Sequence, residues 1–104
     1  MAARPQVTEI HSRDNAFVKE LRRLSQDSTA YRKQGHVWLE GDHLCRAALA
    51  RGLKPKTAVF AQSLWPQAPE EWMQAASKVI VMADALFDEV SSLESPARMG
   101  YVMD

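Results

Sequence analysis

Two short apolar runs do most to limit the folds open to this chain. Thr-Ala-Val-Phe-Ala occupies residues 57–61, and Lys-Val-Ile-Val-Met occupies residues 78–82. Runs of about five residues that are rich in Val, Ile and Phe are typical of strands covered on both faces. Helical patterns lie before, between and after the two runs, and strands that alternate with helices favour an α/β layering. We therefore predict an α/β fold, a three-layer α/β/α sandwich around a central mixed sheet.

The other predicted elements follow from helical spacing and from residues that end helices. Phe17, Leu21 and Leu24 recur at helical spacing after Ser12 or Asp14, either of which can cap a helix. The remaining predictions are a polar turn or loop at 28–34, a strand at 36–40, a helix at 42–51 that ends before Gly52, a helix that begins near Pro69, a helix at 84–92 and a last strand at 100–103.

The composition is that of an ordinary globular domain. Of the 104 residues, 46% are hydrophobic and 25% are charged, which suits one domain with a packed core. No apolar run approaches the roughly 18 residues that a membrane span needs, and the N-terminus lacks the apolar core of a signal peptide. Cys45 is the only cysteine, which excludes an intrachain disulfide. We therefore expect a cytoplasmic protein that does not bind a membrane.

No motif for cofactor, metal or nucleophilic chemistry is present in the sequence. Neither of the glycine-rich phosphate loops, GxxxxGK[ST] and GxGxxG, occurs. His11, His36 and His43 lack the spacing of a metal site. Cys45 lies on an apolar helical stripe, where a buried and inert thiol is expected. We therefore predict no catalytic residue and no metal ligand within these residues.

The formal net charge of zero conceals an uneven distribution of charge along the chain. Up to Lys56 there are eleven Lys or Arg and six Asp or Glu, a balance of +5, and after it there are two and seven, a balance of −5. Lys19, Arg22 and Arg23 recur at i, i+3 and i+4, so they share one helix face. Such cations neutralise phosphates, and the amide of Asn15 adds hydrogen bonding suited to unpaired RNA bases. A merely solvated helix face is the alternative that charge alone leaves open.

The order of the motifs resembles that of a known enzyme family. SRDNAFVKELRRL at 12–24, followed by YRKQGHVWLEGDHLCRAAL at 31–49, resembles the opening of the SpoU or TrmH family of RNA 2′-O-ribose methyltransferases. In that family a short N-terminal RNA-binding domain begins with a Ser-Arg-x-Asn-x-x-x-Lys helix and continues through an Arg-Lys pair into a strand that ends Glu-Gly. This chain has Ser95-Pro96-Ala97-Arg98 where the family usually has Thr-Pro-Gln-Gly before the final strand. The resemblance and the basic helix face together predict these RNA-binding residues: Arg13, Asn15, Lys19, Arg22, Arg23, Arg32, Lys33, Glu40, Gly41 and His43.

The resemblance implies a fold like that of kink-turn-binding ribosomal proteins and a division of the chain into three parts. Residues 1–6 would be a flexible N-terminus, residues 7–97 an RNA-substrate-binding domain, and residues 98–104 a linker or strand leading to a C-terminal knotted methyltransferase domain. The motifs of that knotted domain, which binds S-adenosylmethionine, are missing here. The full-length protein is therefore expected to use S-adenosylmethionine and to form a homodimer through its catalytic domain. These residues alone are expected to bind no cofactor and to be non-catalytic.

The expected partner is structured RNA, either ribosomal or transfer RNA, but two other interpretations stay open. One is a free-standing RNA-binding protein of ribosomal-protein type, and the other is a protein-interaction domain with an incidental basic face. A knotted-domain sequence encoded beyond Asp104 would distinguish the methyltransferase from the free-standing protein. Gly41 also has a second interpretation, because a glycine between a strand and a helix is often required for its backbone angles.

Overall fold

In the part of the chain that the structure describes, five strands form one sheet with helices on both sides. The computed structural model describes residues 6–26, 35–91 and 97–103. The strands are β1 (Gln6–Ile10), β2 (Val37–Glu40), β3 (Thr57–Ala61), β4 (Lys78–Met82) and β5 (Met99–Met103). The helices in these ranges are α1 (Ala16–Gln26), α2 (Asp42–Ala50), α3 (Glu70–Gln74) and α4 (Asp84–Val90), and a short 3-10 turn covers Trp65–Gln67. The turn or loop predicted at 28–34 lies outside the described residues.

The sheet is mixed, with the strand order β1-β4-β3-β5-β2. β1, β4 and β3 run parallel, and Thr57 lies opposite Lys78 where β3 and β4 begin. β5 runs antiparallel to both of its neighbours, β3 and β2. The segment 98–104, predicted as linker or strand, therefore places a strand inside the sheet. The prediction of a mixed sheet is confirmed.

Among the described residues, two clusters of buried side chains fill the spaces on the two sides of the sheet. One cluster joins α1 and α4 to the sheet through residues that include Val18 and Phe87. The other joins α2 and α3 to the opposite face through residues that include Cys45 and Trp72. Every residue of β3 is buried, because its side chains alternate between the two clusters. The predicted three-layer arrangement is confirmed.

β1 is a strand that the sequence pattern did not predict. Apart from Ile10, its side chains are exposed or half-buried, so the segment has no apolar alternation. It forms at an edge of the sheet because its backbone pairs with the buried strand β4, from Gln6 opposite Lys78 to Ile10 opposite Met82. Gln6, assigned by the sequence to a flexible N-terminus, is the first residue of this strand.

Asn15 caps α1, a role for which the sequence suggested Ser12 or Asp14. The Oδ1 atom of Asn15 accepts a hydrogen bond of 2.8 Å from the backbone N–H of Phe17, which is the geometry of a helix N-cap. The hydroxyl of Ser12 instead accepts a hydrogen bond of 3.2 Å from the backbone N–H of Asp14. The Asn15 amide therefore has a structural role at the start of the helix.

Replacing Asn15 by alanine is expected to lower the free energy of unfolding by about 1 kcal/mol, because the N–H of Phe17 loses its acceptor. Asn15→Ser is the matched control, since its hydroxyl can accept the same hydrogen bond. Urea unfolding of the wild type and both variants measures the difference. An alanine variant as stable as the wild type would rule out the capping role. RNA affinity, measured where all three proteins are folded, tests separately whether the Asn15 amide also contacts RNA.

Gly100 allows β5 and β2 to approach each other closely. It lies opposite Glu40 in β2. A Cβ atom placed on it would overlap the indole of Trp38 and lie 2.7 Å from the backbone oxygen of Leu39. The Trp38 indole packs in turn against the ring of Phe87 in α4, with the two ring centroids 6.1 Å apart. Without a side chain at Gly100, one aromatic residue can lie across β5 and reach the helix layer.

Arg98, just before β5, has a backbone conformation that favours glycine. Its φ is 67°, in the left-handed region, and counted from Ser95 it stands where the SpoU and TrmH pattern has glycine. Its guanidinium forms ion pairs with Asp84 at 3.3 Å and with Asp88 at 3.4 Å. Hydrogen bonds from Ser63, and to a smaller extent the Arg98 charge, lower the pKa of Asp84 below its usual value. Two carboxylates thus hold the Arg98 side chain in place.

Candidate nucleic-acid interface

One face of α1 carries a groove lined by basic and amide side chains. Among the described residues, Lys19, Arg22, Arg23 and Gln26 line this groove, which has a volume of about 390 Å³. We call it the α1 groove. Its three cations are those that their spacing predicted on one helix face. Gln26 was not predicted, although it follows Arg22 and Arg23 by about one helical turn. Its amide donates a hydrogen bond of 2.9 Å to the backbone oxygen of Glu89.

Glu89 of α4 holds two of the predicted arginines together. Its carboxylate lies 3.5 Å from the guanidinium of Arg13 and 3.4 Å from that of Arg22. The side chains of Arg13 and Glu89 are 68% and 40% exposed, so water screens the attraction and the pairs contribute little to stability. Two guanidiniums on one carboxylate leave a net positive charge. Arg13 therefore adds to the charge of the α1 groove.

Lys19 and Arg23 are the cations of the α1 groove that no carboxylate neutralises within the described residues. Both are exposed. Arg46, by contrast, lies 3.1 Å from Asp42 on its own helix. A cation without an acidic partner gives up no ion pair when it binds a phosphate. Lys19 and Arg23 are therefore the strongest candidates for contacts with RNA phosphates.

Glu40 and Gly41 have structural roles at the end of β2. The carboxylate of the buried Glu40 accepts hydrogen bonds of 2.5 Å from the Ser91 hydroxyl and 3.3 Å from the backbone N–H of Ala97. It also accepts one of 3.3 Å from Nε1 of Trp38. Gly41 has a φ of 105°, which accounts for glycine at this position. Glu40 thus attaches β2 to the chain segments on either side of residues 92–96.

The remaining predicted residues do not join the α1 groove in the part of the chain that the structure describes. His43 is exposed in the first turn of α2, and α2 covers the opposite face of the sheet from α1. Arg32 and Lys33 lie outside the described residues. The structure therefore brings together Arg13, Lys19, Arg22 and Arg23. Glu89, which sequence spacing could not reveal, joins two of them.

Metal and membrane sites are not found in residues 6–26, 35–91 and 97–103. No group of three or more His, Cys, Asp or Glu side chains in these ranges is placed to hold a metal ion. None of the helices in them has the length and apolar character that crossing a membrane requires. Cys45 is buried, and its thiol donates a weak hydrogen bond of 3.6 Å to the backbone oxygen of Leu39. Burial raises the pKa of this thiol to about 12.

Cys45 is expected to resist thiol reagents at pH 8 while the domain is folded. The raised pKa lowers its thiolate fraction about a thousandfold relative to an ordinary thiol, and burial excludes the reagent. Reaction with Ellman's reagent measures this, with the same protein in guanidinium chloride as the control. The unfolded chain should react within minutes and the folded chain far more slowly. Equal rates would contradict the buried position of Cys45.

The sequence matches a family model over most of its length. The family is described as the MRM3-like substrate binding domain, and the match covers residues 15–99. This chain belongs to that family. The α1 groove of this MRM3-like domain lies entirely within the matched segment. The resemblance to SpoU and TrmH methyltransferases, first seen in the sequence motifs, is confirmed by this match and by the structural neighbours.

Solved structures of methyltransferases contain the fold of this MRM3-like domain. An rRNA methyltransferase from Sinorhizobium meliloti is 23% identical with a TM-score of 0.72, over 95% of this chain and 37% of that chain. An RNA 2′-O ribose methyltransferase is 25% identical with a TM-score of 0.71, over 91% and 36%. The SpoU methyltransferase AviRb from Streptomyces viridochromogenes, in complex with AdoMet, is 17% identical with a TM-score of 0.64, over 86% and 35%. The predicted α/β fold is confirmed, and the likeness to kink-turn-binding ribosomal proteins stays a prediction.

This MRM3-like domain corresponds to little more than a third of each of these proteins. It spans 37% of the Sinorhizobium enzyme and 35% of AviRb. A comparison with curated protein sequences gave no match. A shared fold does not transfer an enzyme's chemistry to a domain, because function depends on the residues of the site.

Proposed function

We propose that this domain binds structured RNA through the α1 groove and Arg13 and presents it to a methyltransferase domain. The observation that carries the proposal is the groove, in which three cations and an amide line one face of a helix. Phosphate contacts of this kind fix the position of a nucleic acid without reading its sequence. The chain's family of substrate-binding domains, and its likeness to RNA methyltransferases, support RNA as the polyanion.

The reaction we propose for the full-length enzyme is methyl transfer from S-adenosylmethionine to a ribose 2′-hydroxyl. The support is that one neighbour is named as an RNA 2′-O ribose methyltransferase and that two others were solved with AdoMet. We favour ribosomal over transfer RNA because the Sinorhizobium enzyme is named as an rRNA methyltransferase.

In this proposal the two parts of the enzyme have separate tasks. The present domain binds and orients RNA, and a C-terminal knotted domain binds the cofactor and carries out methyl transfer. Homodimerisation through that catalytic domain and a cytoplasmic location belong to the same proposal.

Binding of a structured ribosomal RNA fragment is expected to weaken steeply as salt rises. Four phosphate contacts, from Arg13, Lys19, Arg22 and Arg23, give a slope of about −3 in a plot of log K against log salt concentration. Fluorescence anisotropy titrations across a range of salt concentrations measure this slope. Failure to bind at low salt, or binding indifferent to salt, would refute the proposed function. Poly-glutamate at matched charge is the control for binding to any polyanion.

A further inference from the structure

We propose that a pocket between α1 and the sheet accepts one unpaired nucleobase of the bound RNA. This inference rests on the proposed RNA binding and adds to it a preference for RNA with an extruded nucleotide. The pocket lies between α1 and the end of the sheet at which β3 and β4 begin and β5 finishes. Its volume is about 200 Å³. The described residues that line it are Phe17, Glu20, Leu21, Leu24, His36, Lys56, Thr57, Lys78 and Val102.

The size of the pocket suits one planar ring system. Sites for drug-sized ligands typically enclose about 300–1,000 Å³, and one water occupies a share of about 30 Å³ in the liquid. A volume of about 200 Å³ is therefore too small for a dinucleotide cofactor but leaves room for one base. The sugar and phosphates of that nucleotide would stay outside, where cations can reach them.

The lining combines an apolar part with a polar part. Phe17 and Leu24 belong to the apolar part, and the half-buried ring of Phe17 offers a surface on which a base can stack. Glu20 and the hydroxyl of Thr57 belong to the polar part. The Glu20 carboxylate repels a phosphate and accepts hydrogen bonds, so it favours a base that carries an amino group. This combination matches a nucleobase better than an inorganic anion or an aliphatic ligand.

Two exposed lysines supply positive charge at this pocket. Lys78, the first residue of β4, lies opposite Thr57, and Lys56 directly precedes Thr57 in the chain. Neither lysine forms an ion pair within the described residues. The two cations can therefore neutralise the phosphates on either side of an inserted base. Neither belongs to the motif residues that predicted the RNA-binding surface.

The pocket and the α1 groove belong to one helix. Glu20 and Leu24 of the pocket directly follow Lys19 and Arg23 of the groove in the sequence. Successive residues of an α-helix are about 100° apart around its axis, so Glu20 and Leu24 lie beside the basic face, and the pocket that they border is on the side of α1 toward the sheet. In this proposal the RNA contacts the α1 groove and also reaches past the side of α1 to Lys56 and Lys78, so the extruded base belongs to the same complex.

Three hairpin RNAs of one sequence test this inference. One has a single bulged adenosine, one has an abasic site at the bulge, and one is fully paired. The domain is expected to bind the first about tenfold more tightly than the other two. The abasic hairpin has no base to stack in the pocket, and the fully paired hairpin has no extruded base. Equal affinity for the three hairpins would overturn the pocket proposal.

Substitutions of pocket residues test whether the preference for the bulged hairpin arises from the pocket. Glu20→Gln and Phe17→Leu should each reduce the preference for the bulged hairpin, and Glu20 is exposed, so its variant keeps the core intact. Lys56→Gln should weaken binding of that hairpin more than Lys54→Gln, an exposed neighbouring lysine outside the pocket. If Lys19→Glu weakens all three hairpins while Glu20→Gln and Lys56→Gln match Lys54→Gln, only the pocket proposal fails. If no hairpin binds at low salt, the proposed function fails as well.

Discussion

Replacing both Lys19 and Arg23 by glutamate is expected to weaken RNA binding about 30-fold or more at about 0.1 M salt. Each lost phosphate contact removes about 0.7–0.9 from log K at that salt concentration, and the new carboxylates add repulsion. No described carboxylate neutralises these two cations, so both are available to phosphates. The salt slope of the variant should also be smaller in magnitude by about 1.5 than that of the wild type. Anisotropy titrations with a structured ribosomal RNA fragment measure both quantities.

Arg51→Glu together with Lys54→Glu is the matched control for this variant. It makes the same change in net charge with exposed residues at and after the end of α2, which packs on the other side of the sheet. The control should lose much less affinity than the groove variant. A similar loss in both would mean that binding depends on total charge and that the α1 groove is not the site. Circular dichroism should show that both variants are folded, since exposed substitutions rarely change stability by more than about 0.5 kcal/mol.

Gly100→Ala is expected to lower the free energy of unfolding by about 3 kcal/mol. The added methyl group would overlap the Trp38 indole and crowd the backbone oxygen of Leu39, and a backbone atom cannot move aside as a flexible side chain can. For a domain of this size the loss corresponds to a fall in melting temperature of about 12–24 °C. Thermal unfolding followed by circular dichroism measures it.

Two comparisons separate steric overlap from other causes at Gly100. Gly52→Ala adds the same methyl group where nothing lies within 4 Å, so only its positive φ of 79° costs stability, about 1 kcal/mol. In a Trp38→Ala background, Gly100→Ala should cost at least about 1 kcal/mol less than in the wild type, because one of the two overlaps is removed. A Gly100→Ala variant as stable as the wild type would contradict the packing of Trp38 across β5.

The sequence predicted the elements whose side chains are buried in a regular pattern. β3 and β4 have the predicted bounds because all or nearly all of their residues are buried, so that apolar composition marks them clearly. β1 escaped prediction because backbone pairing with β4 stabilises it, and backbone pairing leaves no trace in the side-chain pattern. The side-chain pattern therefore predicted the buried strands, but it did not predict backbone pairing at the edge of the sheet.

The same distinction applies to the candidate site. Lys19, Arg22 and Arg23 were predicted together because helical spacing alone places them on one face. The contact of Glu89 with Arg13 and Arg22 depends on how α4 packs beside α1, which no local pattern encodes. A match to the family motif also does not show whether a residue binds RNA or stabilises the fold. Glu40 matches the motif, yet its carboxylate is buried and, within the described residues, accepts three hydrogen bonds from the protein itself.

The position of β5 determines when the domain can finish folding during its synthesis. Within the described residues β2 pairs only with β5, although some sixty residues of sequence separate Glu40 from Gly100, its partner in the ladder. A ribosome must therefore release residues 99–103 before β2 can join the sheet. Until then Trp38 and the open edge of β3 are exposed on an incomplete nascent chain, which is the kind of surface that chaperones bind.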